Sequence, residues 1–256
     1  MSVRARADAL RTRIDAAARA AGRAPGQVRL IGVAKTRAPG EVAAAVAEGL
    51  ADIGENYLDE SLPAIAAVAA VGLACCWHFI GHLQGNKTRA VAAHYDWVHT
   101  LDRARIADRL SAQRDPARPP LQVLIQTNFD HEASKSGVTD EAALLELARA
   151  VLALPNLRLR GLMTIPAPSA DPAAAFTRTA TALANLRAAL RADGHAAHAD
   201  ALDTLSMGMS DDFEAAVAAG STMVRIGTAL FGPRPARQAN PPAIGTADPS
   251  PPTHST

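Results

Sequence analysis

Aromatic residues make up only 4% of this 256-residue chain, and lysine is scarcer still: Lys35, Lys87 and Lys135 stand against twenty-three arginines. Cysteine occurs twice, at the adjacent positions Cys75 and Cys76. A bridge between neighbours is strained, which excludes a disulfide framework and makes both thiols small buried apolar residues in a reducing compartment. No run approaches the ~20 apolar residues that span a bilayer. The N-terminus, with Arg4, Arg6, Asp8, Arg11 and Asp15, lacks the apolar segment of a signal peptide, so a soluble, cytoplasmic protein is expected. Neither sign of charge dominates: the formal net charge is +1 and no basic block occurs, which argues against nucleic acid or an acidic membrane as partner.

What is plentiful is alanine in helical periodicity, broken by short β-prone apolar runs. An amphipathic stretch over residues 3–22 comes first, with Val3, Leu10 and Ile14 at helical spacing and Gly22 as its stop. Apolar runs then recur near 28–34, 51–54, 76–80, 95–99, 121–127, 157–165, 202–206 and 222–226. Helical stretches lie between them at 40–49, 57–70, 84–93, 103–114, 140–153, 172–192 and 211–219. Eight strands alternating with helices predict an α/β chain folded as a single (β/α)8 TIM-like barrel with an extra N-terminal helix. An open doubly wound sheet would alternate similarly, but no GxGxxG turn follows the first strand. From Pro233 onward the chain holds seven prolines and few large apolar residues. It therefore divides into a folded body over 1–232 and a Pro-rich tail over 233–256 that is expected to be disordered.

With arginine filling most cationic positions, a lysine at the end of a core strand is a candidate for chemistry that a guanidinium cannot perform. Only a primary amine condenses with a carbonyl. Taken alone, a lysine at a strand end more often snorkels into water. In the first run Ile31, Val33 and Lys35 share a face, and if Val33 points into the barrel Lys35 reaches its mouth. In the last run Met223, Arg225 and Gly227 share one face, with Val224 and Ile226 on the other. An arginine inside an apolar strand needs an anionic or hydrogen-bonding partner, either a ligand or a carboxylate within the barrel. Gly227 leaves room for a ligand, and Thr228 offers a hydroxyl and an N–H.

The loop after the seventh run starts with Ser206, Met207 and Gly208, whose hydroxyl and backbone are expected to donate to a phosphate. Asp211 with Glu214 is expected to form a capping box, Ser210 competing as N-cap. In the third run His78, Ile80 and His82 share a face. No third metal ligand stands near them in sequence, so no metal site is assigned; His78 is read as a core histidine and His82 as a mouth histidine, counted among the residues expected to bind the ligand. Asn56 ends the second strand within reach of a ligand's ring oxygen, and Glu55 is expected to pair with a cation. Lys135 is the chief rival to Lys35, but its Ser- and Glu-rich surroundings should keep it solvated and charged. Two phosphate-cradling loops facing a strand-end lysine fit pyridoxal 5′-phosphate (PLP) held as a Schiff base.

The segments IGVAKTR (31–37), IGENYLDE (53–60), WHFIGHLQGNK (77–87), EASKSGV (132–138), LRGLMTIP (159–166) and LSMGMSDDFEAAVAAGSTMVRIGTALFG (205–232) closely resemble the pyridoxal phosphate homeostasis protein family, a free-standing relative of the N-terminal barrel of alanine racemase. The resemblance implies PLP bound to Lys35, phosphate contacts from Ser206 and its neighbours and from Gly227 and Thr228, and Arg225 near the pyridine nitrogen. A permanently charged arginine there disfavours ring protonation and weakens the cofactor as an electron sink. The family is regarded as holding and delivering the cofactor, with effects on vitamin B6 and amino-acid pools and no established turnover. The expected function is therefore that of a non-enzymatic PLP carrier, a monomer or weak dimer, with apo-PLP enzymes as acceptors. The alternative is an amino-acid racemase, which needs a second base opposite the lysine. In alanine racemase that base is a tyrosine from a C-terminal domain, whereas this chain has only Tyr57 and Tyr95.

Overall fold

The structure, a computed structural model, describes residues 1–233. Apart from Pro233, the expected tail lies outside the described residues. Eight parallel strands close into a barrel in chain order: β1 (Arg29–Val33), β2 (Asp52–Glu55), β3 (Cys76–Phe79), β4 (Trp97–Leu101), β5 (Leu121–Thr127), β6 (Leu157–Thr164), β7 (Thr204–Ser206) and β8 (Met223–Ile226). The last strand pairs back onto the first, Ile31 opposite Arg225 and Gly32 opposite Ile226. Closure removes the sheet edges and leaves one mouth where every strand ends.

The helices are α1 (Val3–Ala20), α2 (Pro39–Ala47), α3 (Leu58–Ala70), α4 (Thr88–His94, after a 3-10 turn at Gly85–Lys87), α5 (Ala104–Gln113), α6 (Glu141–Leu152), α7 (Pro172–Ala192), α8 (Ala196–Asp200), α9 (Phe213–Ala218) and α10 (Thr228–Phe231). Local chemistry explains their starts. Asp140 accepts the Ala143 N–H at the head of α6, and Asp171 precedes Pro172 and accepts the Ala173 N–H at the head of α7. The short α8 and α10 escape a periodicity reading because one turn carries no repeat. The expected capping box at α9 does not form. Asp212 stands at its N-cap and turns back to accept the Met209 N–H (2.6 Å), while Glu214 pairs with Arg13 of α1 (2.5 Å). The fourth strand begins two residues later than expected, because Tyr95 is buried behind it and donates its hydroxyl to Ser61 (2.5 Å).

Burial separates two apolar layers. The larger lies between strands and helices and includes Leu30, Val224 and Ile226. The smaller fills the barrel with Ile31, Trp97, Leu124, Met163 and Met223. The alternation expected for the first and last strands is thus the observed one. Cys75 and Cys76 are free, half-buried thiols whose proton affinities burial pushes up to about 12, so they behave as inert apolar residues. Among the described residues no helix is long and apolar enough to cross a membrane.

Candidate functional site

A cavity of about 390 Å³ opens at the C-terminal ends of the strands, the face where barrels of this type place their ligands. On one side β1 delivers Val33 and Lys35. Beyond the strand, the Arg37 N–H donates to the Ala34 carbonyl (2.9 Å), closing a tight turn with Lys35 and Thr36 at its centre. Thr36 takes φ +67°, costly for a β-branched residue, and its N–H is held by the Glu60 carboxylate at 2.8 Å. Backbone strain beside Lys35 is thus offset by α3, and the amine leaves from a fixed backbone.

The three lysines have different surroundings. Lys87 pairs with Asp59 at 3.6 Å, and Lys135 donates to the carbonyls of Ile165 (3.3 Å) and Pro166 (2.5 Å). Lys135 is therefore tethered to the loop after β6 rather than solvated among Ser and Glu, as its sequence context suggests. Lys35 lines the cavity, half-buried, and has no hydrogen bond or ion pair among the described residues.

Arg225 of β8 rises from the barrel interior into the cavity wall and is 4% exposed. Among the described residues it has no carboxylate partner. Instead Nη1 donates to Ser206 Oγ (2.8 Å) and Nη2 to the Thr164 carbonyl (3.0 Å). Burial lowers its proton affinity, with Asp212 opposing, to a pKa of about 10, so it stays cationic at neutral pH. Two of its five N–H groups are accounted for by these bonds, leaving donors for the cavity.

The wall between the β7 and β8 loops is lined by Met209, Ser210, Asp211, Gly227 and Thr228. Among the described residues the N–H groups of Ser210, Asp211, Thr228 and Ala229 meet no acceptor, so donors converge there as an anion requires. A Cβ at position 227 would meet only Val33, at 3.5 Å, so the space beside Gly227 belongs to the cavity and not to packing. Arg37 adds a third cation at the rim. Its guanidinium lies 5.7 Å from the Phe231 ring and donates to the carbonyls of Gly232 (2.5 Å) and Pro233 (3.0 Å). Asn56 lines the cavity at the end of β2, and its Oδ1 is buried without a partner among the described residues. Its backbone is pressed against Gly81, where any Cβ would lie 2.1 Å from the Asn56 carbonyl.

Of the residues assigned from sequence, Lys35, Asn56, Arg225, Gly227 and Thr228 line this cavity; Ser206, Met207, Gly208 and His82 do not. Ser206 is buried inside the barrel between Arg225 and His99 Nδ1 (2.8 Å). The Met207 N–H is spent on the Met223 carbonyl (3.1 Å), and its side chain is core. Gly208, at φ +96° and packed on Phe213 and Ala216, makes the bend that carries the chain to Ser210. The part of this loop that lines the cavity therefore begins at Met209, three residues beyond Ser206, because β7 is only three residues long and the loop turns before it reaches the cavity. His82 is exposed and hydrogen-bonds Ser136 (2.8 Å), standing at the rim towards the β5 loop.

One further expectation is corrected. Glu55 meets no cation: it is buried, its Oε2 has no partner among the described residues, and burial together with Glu60 pushes its pKa up to about 8. The folded chain therefore keeps a proton there that the unfolded chain loses near pH 4.5. This contribution to stability is full below that pH and is lost as pH rises through about 8. Glu55→Gln should flatten the melting-temperature profile between pH 5 and 9. The variant should be the more stable above pH 8 by on the order of a few kcal/mol, since a tenfold change in proton affinity is worth about 1.4 kcal/mol. Parallel profiles for the two proteins would show that Glu55 ionises normally.

His78 is the core histidine expected, and it meets His99 on the adjacent strand, His78 Nδ1 and His99 Nε2 lying 3.0 Å apart. His99 carries no sequence signal of its own beyond its place in the fourth run, since its partners lie on other strands. Within the run 95–99 period-two alternation already puts His99 on the face of Trp97, inside the barrel, while the register shift before Leu101 turns that residue to the outer layer. His78 Nε2 lies 3.0 Å from Asp52 Oδ1, which also receives a hydrogen bond from Arg29. Asp52, Cys76 and His78 bring possible ligand atoms within 4.8 Å of one another, but the Arg29 guanidinium already supplies the positive charge at that carboxylate.

The chain is similar over most of its length to known proteins. The family model described as alanine racemase, N-terminal domain, matches residues 6–235. A pyridoxal phosphate homeostasis protein of Pseudomonas aeruginosa is 53% identical over 225 residues, covering 87% of this chain and 91% of the relative. One from Escherichia coli is 49% identical over 229 residues, covering 88% and 94%. Among solved structures, PipY of Synechococcus elongatus with PLP bound superposes with a TM-score of 0.74 at 30% identity, covering 90% of this chain and 100% of that one.

Proposed function

The chain belongs to the pyridoxal phosphate homeostasis protein family, within the larger family built on the alanine racemase N-terminal barrel, and on that premise we propose that its cavity holds PLP as a Schiff base on Lys35. The residues fit the group. An unpaired primary amine faces the cavity from one side and a set of free N–H donors faces it from the other. Between them lie a buried guanidinium and the unpartnered amide oxygen of Asn56, matched to a ring nitrogen and a ring hydroxyl. When bound, the cofactor contributes an aldehyde that condenses with the Lys35 amine, with loss of water.

The protein's own part is to bind and orient. Ser210, Asp211, Gly227 and Thr228 take the phosphate through backbone N–H groups and hydroxyls, Asn56 takes the ring oxygen, and Arg225 presents a fixed positive charge to the ring nitrogen. That charge keeps the ring unprotonated and so suppresses the electron-sink chemistry a PLP enzyme exploits. Lys35, the one lysine free of partners among the described residues, at the cavity, carries the assignment.

The racemase alternative needs a second base across the cavity, and neither tyrosine lines it: Tyr57 is 56% exposed, and Tyr95 is buried behind β4. This favours binding over racemisation, and our reading is a carrier that keeps PLP available in the cytoplasm, as a monomer or weak dimer, for apo-enzymes that need it, with consequences for amino-acid pools. The direct test is borohydride reduction of the PLP-loaded protein followed by peptide mapping. The label should sit on the Lys35 peptide, and single-enantiomer alanine should stay unracemised. Conversion above about 1 per second, an ordinary enzymatic rate, would favour the racemase.

A further inference from the structure

The barrel interior of a small α/β protein is normally apolar, yet here a line of polar side chains crosses it. Arg225 Nη1 is 2.8 Å from Ser206 Oγ, Ser206 Oγ is 2.8 Å from His99 Nδ1, His99 Nε2 is 3.0 Å from His78 Nδ1, and His78 Nε2 is 3.0 Å from Asp52 Oδ1. Ser206, His78 and His99 are fully buried, and Arg225 and Asp52 nearly so. The histidines pack against Trp97, one stacked at 5.7 Å between ring centroids and the other edge-on at 6.1 Å. At the far end Asp52 borders a cleft beneath the barrel, where the half-exposed Arg29 meets its carboxylate.

The direction of this line is determined by its ends. Arginine only donates and a carboxylate only accepts. Arg225 must therefore give to Ser206 and His78 Nε2–H to Asp52, so a neutral His78 accepts at Nδ1 from His99, and a neutral His99 accepts at Nδ1 from the Ser206 hydroxyl. His99 then carries its own proton on Nε2 and gives it to His78 Nδ1, and His78 gives Nε2–H to Asp52. Each neutral imidazole is used once as donor and once as acceptor, and with both neutral no other pattern satisfies all four contacts; an imidazolium at His78 would reverse the two bonds of His99. The electrostatics agree. Burial alone would raise Asp52, but the His78 hydrogen bond and the Arg29 charge hold it below the usual carboxylate range. Burial keeps both histidines below theirs.

We infer that Asp52, His78, His99 and Ser206 are positioning residues forming a one-way hydrogen-bond chain that anchors Arg225 and aims its remaining N–H groups into the cavity. The carboxylate beneath the barrel thereby acts on a ligand at its mouth, four hydrogen bonds away. The bonds polarise one another in the same sense, so the Ser206 oxygen facing Arg225 is a stronger acceptor than an isolated hydroxyl. The chain conducts no proton to the ligand, because its cavity end is an arginine that stays protonated. Its effect on PLP rests on the function proposed above; its existence does not.

Two measurements separate these claims. In the cofactor-free full-length protein, nitrogen-15 NMR should show His78 and His99 both neutral and both carrying the proton on Nε2 at pH 7. An Nδ1–H tautomer or an imidazolium at either position overturns the chain, whether or not PLP binds. In the loaded protein, Ser206→Ala and Asp52→Ala should each weaken PLP retention about tenfold, the worth of one charge-assisted hydrogen bond, and shift the absorbance of the bound cofactor. Asp52→Asn, which keeps an acceptor for His78, should restore most of both. Folded variants with parental affinity and spectrum would limit these residues to a structural role and overturn the coupling. Parental protein that takes up no PLP would instead defeat the proposed function, while the NMR result still decides the chain.

Discussion

Lys35→Ala should bind PLP only reversibly, with the visible absorbance reverting to that of the free aldehyde and no label surviving borohydride. Retention should fall by roughly a hundredfold or more, equivalent to about 2.7 kcal/mol. The effect is large because no other amine can substitute. Lys87 is paired with Asp59 away from the cavity, and Lys135 is bound to two backbone carbonyls that would have to lose their donor before it could react. Folding should be little affected, since Lys35 is half-buried and holds no partner among the described residues whose loss would leave a buried group unsatisfied. Parental colour in the variant, with label on Lys135 or Lys87, would place the attachment elsewhere.

Arg225→Glu should be the most damaging change in the barrel. It replaces a donor with an acceptor opposite the Thr164 carbonyl and leaves Ser206 facing a carboxylate. Stability should drop by about 3–5 kcal/mol, the usual cost of a broken buried charged contact. Any PLP still bound should change its spectrum, because an acid beside the ring nitrogen promotes the ring protonation that a guanidinium prevents. Arg225→Lys separates charge from geometry: it keeps the cation but loses the fork that holds Ser206 and Thr164 together. The lysine variant should therefore retain the parental spectrum with weaker binding. Identical spectra for the glutamate variant and the parent would remove Arg225 from the ring nitrogen.

Much of this protein is decided by local chemistry and so is visible in one dimension. Short β-prone runs alternating with Ala-rich helical stretches lead to eight strands and their helices, and period-two alternation puts Ile31 with Lys35 and Met223 with Arg225 on inward faces. The scarcity of lysine singles out Lys35 before any coordinates are considered. What one dimension does not reveal is that Ser206 turns into the barrel interior, and that the cavity wall after β7 is formed by Met209–Asp211 and not by Ser206–Gly208. Where a loop leaves a three-residue strand depends on what it packs against, here Phe213 and Ala216 beneath Gly208. The fate of Glu55 and the partner of Lys135 likewise depend on residues distant in sequence.

The polar line through the barrel is the clearest product of tertiary structure alone. Asp52, His78, His99, Ser206 and Arg225 sit on five different strands, and nothing in their spacing marks them as partners. Ring closure brings β7 and β8 round to β1 and lets side chains from β2, β3 and β4 meet them across the interior. Periodicity says which face of a strand a residue occupies, but only the closed sheet says whom it faces. Hydrogen-bond direction in turn follows from the charged groups at the two ends.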